Sequence, residues 1–497
     1  MTTKGLPARR RAWRAGREER AAGPGSRLGW LDALRGIAAL AVAAHHFEIM
    51  RLIPAGSTIA AHFDLGFYGV IAFFIVSGYI IPASLERRGD VRAFWIGRVF
   101  RIYPALIVTM LLAQFILPPD YQVLTFNGYE HDLLWLAGNG LMLSDMLGVV
   151  NALGISWTLT YEMLFYFFVS SLFTVAWHRR TTPISVGAAG LALILGVAIP
   201  SYSLAHTIAE LRHLVAAAVL VVVTGVLCML SGNAALARIG GLLLGGLAVL
   251  LVFTNGRTPA YETLTILATM FAGTVIYRAQ HGQIERLEAW VSVGFVVAAG
   301  ALVGWMYNRG EMARATATFT WSAWTVAYLA AWASFGLFFL LRNRRLPRVL
   351  TWLGAVSFSV YLLHWPVKKF LLWQLGWDSN HYYTKLAAMP FVERWSWVAG
   401  YVAVLLVVCW VVYRLVEMPF QNLGRKLTKS MNRRWPPQSL ERPVPVSPVA
   451  AGAPVAAVAV VPTDASAVAE PVLAGASSGP APASGSASGS GGQGNVV

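Results

Sequence analysis

The stretch WLDALRGIAALAVAAHHFEIMRLI, Trp30–Ile53, decides the fold class. At ~1.5 Å per residue it is long enough to span a hydrocarbon layer ~30 Å thick as a helix. It nevertheless carries Asp32, Arg35, His45 and His46. Ionisable groups inside such a helix are costly and usually mark function. Arg35 and His46 are 11 positions apart, about three helical turns at ~100° per residue, so they project from nearly one face, roughly 16 Å apart along the axis. One group is placed to hold a ligand near a membrane surface, the other to do chemistry deeper in.

Eleven further apolar spans follow, at 66–84, 97–117, 154–177, 184–204, 212–231, 239–254, 261–278, 289–307, 316–341, 350–373 and 396–416. The expected fold is therefore all-α, a polytopic membrane bundle of about 10–12 transmembrane helices. The span 239–254 is short for a full crossing, and a re-entrant neighbour would bring the count down to ten or eleven. Composition agrees: of 497 residues, 57% are apolar and 12% charged, with mean hydropathy +0.58, against about a quarter charged in soluble domains. Cys228 and Cys409 lie in apolar runs and read as packing residues.

The net charge of +16 does not imply nucleic acid, because the basic residues gather at the ends of apolar spans. Arg87, Arg88, Arg92, Arg98 and Arg101 follow the second span; Arg179–Arg180, Arg342, Arg344, Arg345 and Arg348, and the run Arg425–Arg434 mark later ones, whereas residues 118–153 hold no Lys or Arg. An even number of crossings puts every basic loop and both termini in the cytoplasm, in a cell (inner or plasma) membrane. Residues 1–29 read as a disordered basic cytoplasmic arm and not a cleaved signal peptide. Residues 30–422 form the membrane domain. Residues 423–497 combine a basic stretch with an Ala/Pro/Ser/Gly-rich disordered tail, leaving no room for a second folded domain.

Five local patterns carry candidate chemistry. In the first helix, Asp32 sits three residues before Arg35 and can pair with it; Arg35 either snorkels to the interface or binds a ligand. His46 is either a packed core histidine or a base, and His45 points off that face. In FYGVIAFFIVSGYII, Phe67–Ile81, the small residues Gly69, Ser77 and Gly78 permit close approach of helices or a ligand. In FWIGRVFRIYPA, Phe94–Ala105, Arg98 and Arg101 are spaced to clamp a phosphate, or simply anchor the helix end. In ISWTLTYEMLFYFF, Ile155–Phe168, Glu162 needs a partner or an aqueous cavity and either orients or charge-balances a histidine or forms a structural pair with a helix cation. In SFSVYLLHWPVKK, Ser357–Lys369, Tyr361 and His364 share a face at a depth similar to His46, while Lys368 and Lys369 either meet an anionic acceptor or, as the favoured reading, serve as interfacial anchors. Glu417-x-Pro419 is expected to end the last helix. No Walker loop, Rossmann glycine pattern, HExxH or paired-cysteine motif is present, and His45, His46 and His364 diverge too far for an expected metal site.

Taken together, these patterns resemble acyltransferase family 3. LDALRG-x9-HHF is similar to that family's R-x10-H signature, GRVFR to its RxxR element, and SW-x-L-x-x-E-x-x-F-Y and S-x-S-x-Y-x-x-H match in order and spacing over about residues 28–422. The count of about twelve helices exceeds the family's usual ten, and no SGNH-type domain is fused. The resemblance implies transfer of an acyl group, often acetyl, from cytoplasmic acyl-CoA to a hydroxyl of a carbohydrate, glycolipid or other envelope or secreted acceptor. It also implies a catalytic role for His46 and essential roles for Arg35, Arg98 and Arg101.

The expected partners are the bilayer, acyl-CoA and the acceptor, with no nucleic acid and no permanently bound cofactor. The residues themselves suggest that Arg98, Arg101 and Arg35 hold the donor's phosphates and that His46 is the base, with Glu162 or His364 orienting it or the acceptor. Ser77 and Tyr361 line the donor's path. The alternative is a polytopic transporter or flippase for a glycan or lipid precursor, which also uses intramembrane charge.

Overall fold

Inside lipid a backbone cannot bond to water, so each crossing segment must satisfy its own amides as a helix. The computed structural model, which describes residues 29–118, 121–122, 133–257, 259–316 and 318–440, obeys this with helices throughout and no named strand among the described residues. Nine described helices are long and apolar enough to cross a membrane. We number the long helices α1 (Gly29–His46), α2 (Leu65–Arg88), α3 (Val91–Ile116), α4 (Trp157–Thr174), α5 (Thr181–Leu195), α6 (Ile208–Leu230), α7 (Ala234–Thr254), α8 (Ala260–Gln280), α9 (Arg286–Tyr307), α10 (Trp321–Leu340), α11 (Arg348–Gln374) and α12 (Phe391–Val412). They coincide one for one with the apolar spans. The chain is a multi-pass membrane protein.

Two details differ from expectation. The short helix is α5, with 15 residues, while α7 has a full 21. The last helix does not stop at Glu417: a π-helical turn, Tyr413–Glu417, carries α12 straight into α13 (Met418–Arg434). Pro419 stands immediately past that turn, so its missing amide hydrogen falls where the regular hydrogen-bond ladder is already interrupted. The arm expected at 1–29 lies outside the described residues except for Gly29, and the tail expected within 423–497 lies outside them beyond residue 440.

Helix direction alternates, and side-chain ties confirm which ends lie together. At the basic end, Arg278 pairs with Glu86 and donates to the His178 carbonyl at 2.6 Å. There also the buried Arg92 donates to the carbonyls of Leu230 (2.7 Å) and Trp435 (2.6 Å) and to Asn432 Oδ1 (3.1 Å). Arg92 is therefore no lipid anchor; it fastens the end of α6 and the end of α13 to the start of α3. At the opposite end His45 faces Asp64 at 3.6 Å, and Asn255 donates to the Met146 carbonyl at 2.7 Å.

Lipid-facing positions such as Ile107, Leu111, Phe115, Leu220 and Leu227 stay exposed, whereas α8 is enclosed along almost its whole length. Small residues set the inner crossings. A Cβ on Gly78 would lie 1.8 Å from the Met270 carbonyl, and one on Gly354 2.1 Å from the Asp32 carbonyl. The second crossing joins α1 to α11. Gly36 meets Leu353 and Gly354, and ten residues further along both helices His46 meets His364. The two helices run side by side in the same direction, which places the polar residues of both at matched depths.

Candidate active site

α1 and α4 are the long helices of 18 residues that fall short of the apolar measure, because each carries polar groups inward. Their inward faces, with α2, α3 and α11, wall an open-mouthed cavity of about 790 Å³, its mouth included. The charged groups on its wall are Arg35, Arg98, Arg101 and Glu162. Three guanidinium groups and one carboxylate thus face the cavity, with Asp32 and Glu417 behind the arginines.

Each group is held from the side. Arg98 donates to Ser84 Oγ at 3.2 Å and lies over the rings of Phe94 and Tyr166, 5.1 and 5.0 Å from their centroids. Tyr166 donates its hydroxyl to Glu162. Arg35 stands 3.7 Å from Asp32 and interacts electrostatically with Arg101, Glu162 and Glu417. Arg101 makes no hydrogen bond or ion pair to any described residue, so its donors are available to a ligand.

Glu417 was legible only as a helix terminator. It is buried within the π-helical turn and accepts a hydrogen bond from Ser359 Oγ at 2.5 Å. Such turns recur at functional sites. Here the turn holds a buried carboxylate that interacts electrostatically with Arg101 and Arg35.

Ser77 and Tyr361 line the same cavity. The Tyr361 hydroxyl is shared with Thr158 Oγ1 at 2.5 Å and donates to the Ile155 carbonyl. These bonds fix the start of α4 beside the middle of α11, because the segment before it folds into the bundle, with Leu143, Met146, Leu147 and Leu153 buried. Glu162 is consequently shifted toward the basic end. No hydrogen bond or ion pair joins it to His46 or His364 among the described residues. Of the two readings the sequence offered for Glu162, the structure places it with the arginines and Tyr166.

The histidines form their own group beyond Tyr361. His46 and His364 stack at 5.0 Å with 29° between their planes. His364 is completely buried, and its Nδ1 lies 3.1 Å from the Val360 carbonyl. A carbonyl only accepts, so Nδ1 carries the proton and Nε2 presents a lone pair. That Nε2 has no hydrogen-bond partner among the described residues. His45 stands edge-on to His46 and turns to Asp64, outside the pair.

Lys368 differs most from its sequence reading: it is 7% exposed and donates to the His46 carbonyl at 2.7 Å. It is no interfacial anchor, because α11 continues six residues past it and turns it toward α1. Lys369 donates to Ser379 Oγ at 2.9 Å and lies 4.1 Å from the Tyr121 ring centroid. Among the described residues no group of three or more His, Cys, Asp or Glu is arranged to hold a metal, and both cysteines are free.

The family model described as an acyltransferase domain matches residues 28–414. Over 168 residues the chain is 31% identical to Acyltransferase MdmB of Streptomyces mycarofaciens, covering 32% of this chain and 41% of that protein. It is 24% identical over 167 residues to Nodulation protein 10 of Rhizobium leguminosarum bv. viciae, covering 27% and 45%. A Staphylococcus aureus (strain COL) protein with O-acetyltransferase in its name is 34% identical over 88 residues, covering 16% and 13%. The chain thus spans less than half the length of these relatives. No solved structure matches it.

Proposed function

The chain belongs to acyltransferase family 3, and we propose on that premise that it is an integral-membrane O-acyltransferase. It moves an acyl group, acetyl in the simplest case, from acyl-CoA to a hydroxyl of a carbohydrate, glycolipid or other envelope or secreted acceptor. The observation that carries this reading is the pairing of a cationic cavity with a histidine stack three residues beyond its Tyr361 wall. Family membership weighs against the transporter alternative.

Acyl-CoA is strongly anionic at its nucleotide end and thin along its pantetheine arm. Arg98, Arg101 and Arg35 hold its phosphates, and the arm passes Ser77 and Tyr361 toward the histidines. His46 takes the proton of the acceptor hydroxyl. The oxygen attacks the thioester carbon, the carbon–sulfur bond breaks, and the departing thiolate recovers the proton from the imidazolium. His364, its Nδ1 proton committed to Val360, keeps the facing His46 ring in place. Glu162 and Glu417 hold the arginines against one another when no phosphate is bound. The donor enters from the basic end, which faces the cytoplasm of the cell membrane together with both termini.

Protein reconstituted in nanodiscs with radiolabelled acetyl-CoA and an extract of envelope carbohydrates and glycolipids tests the reading. Label appearing in the acceptor fraction is expected. Undiminished acetyl-CoA and an unlabelled acceptor fraction with folded protein contradict it.

A further inference from the structure

We infer that Lys368 is the positioning residue for His46: its buried ammonium clamps the end of α1 so that the His46 ring stays stacked on His364. The inference deepens the acyltransferase reading and rests on it only for its kinetic arm.

His46 is the last residue of α1, where carbonyls run out of intrahelical donors. Phe47 N–H still bonds the Ala43 carbonyl in the regular ladder at 2.9 Å, and Glu48 N–H tightens onto the His45 carbonyl at 2.8 Å. The His46 carbonyl takes its bond from Lys368 instead. Immediately afterwards the chain reverses through Glu48 at φ 51°, a left-handed conformation that a residue with a Cβ adopts at a cost. The last turn of α1 therefore ends abruptly, and the lysine is the outside tie at its final carbonyl.

The tie comes from the helix that matters most. Lys368 lies four residues after His364, one helical turn on and over the same face. One face of α11 thus supplies both the ring stacked on His46 and the cation bound to its backbone. A cation at a helix C-terminus is also favoured by the helix dipole. The surroundings hold the clamp in place: Tyr401 donates to the His364 carbonyl at 3.2 Å, and the Lys368 ammonium lies 5.6 Å from the Tyr382 ring centroid. Burying an ammonium for packing alone is costly; at this position it fixes the register of two helices beside the histidine pair.

The test compares Lys368→Met and Lys368→Arg with wild type in nanodiscs, by hydrogen exchange of the peptide covering residues 44–48 and by steady-state kinetics. Met keeps the length and removes the donor; Arg keeps a cationic donor. The Met variant is expected to exchange at least tenfold faster in that peptide and to lose at least tenfold in kcat, with KM for acetyl-CoA within twofold of wild type because the arginine cavity is untouched. Arg is expected to recover most of both. Unchanged exchange at 44–48 in the Met variant overturns the inference whatever the activity. So does normal kcat in the Met variant, or equal impairment of the two variants. Faster exchange in a protein whose wild type transfers no acyl group leaves the clamp standing and contradicts the acyltransferase reading alone.

Discussion

Replacing Arg98 and Arg101 together by alanine should weaken acyl-CoA binding about 100-fold. Both side chains are partly buried on the cavity wall, and solvent still takes part of their Coulomb energy. A phosphate oxygen ~4 Å from a guanidinium gains about 4 kcal/mol at an effective dielectric of ~20. Desolvation and screening reduce that to about 1.5 kcal/mol per arginine, the lower end for hydrogen bonds to charged groups. Since ~1.4 kcal/mol is tenfold in affinity, two arginines give about two orders of magnitude. Arg98 also rests on Phe94 and Tyr166, so each single variant should lose about tenfold while the fold persists. Equilibrium binding of radiolabelled acyl-CoA to detergent-purified protein measures the loss. Added salt should weaken wild-type binding more steeply than that of the double variant, whose phosphate partners are fewer. A dissociation constant within twofold of wild type would reduce these arginines to membrane anchors.

Two further changes act on the fold. Arg92→Ala removes the donor from the carbonyls of Leu230 and Trp435 and from Asn432 Oδ1, while Asn432 keeps its bond to Asp90; with water able to reach part of this site, the loss should be about 1–2 kcal/mol, read as a lower thermal midpoint with acyl-CoA affinity retained in the folded fraction. A midpoint equal to wild type would refute the buried clasp. Gly78→Ala drives a methyl to 1.8 Å from the Met270 carbonyl, where a Thr274 hydroxyl also bonds the Gly78 carbonyl at 2.8 Å; overpacking of this kind costs about 2–3 kcal/mol, and unchanged thermal unfolding would show that α2 and α8 can move apart.

The helices and their alternation were legible because two strong signals coincide in this chain: apolar runs of spanning length, and arginines gathered at alternate ends. Arg35, Ser77, Arg98 and Arg101 were found as cavity residues because their axial positions follow from helices that start near a surface. Glu162 was misplaced because α4 starts at the level of Tyr361, after a segment that folds into the bundle, and no local pattern encodes that depth. Lys368 and Arg92 look like interfacial cations in sequence. Only the helices packed over them show that they are buried and tied to carbonyls distant in sequence. Glu417 was hidden by the proline two residues later, which follows a π-helical turn rather than ending the helix.

The central claim is that His46 is the base of an acyl transfer. The most direct measurement is turnover of radiolabelled acetyl-CoA to acceptor by His46→Ala, compared with wild type at equal folded concentration, with acyl-CoA binding measured on the same samples. General-base catalysis contributes about 10²–10⁴-fold, so transfer should fall by at least ~100-fold while acyl-CoA affinity stays within a few-fold, because the arginines are untouched. Transfer at the wild-type rate by the folded variant would contradict the account.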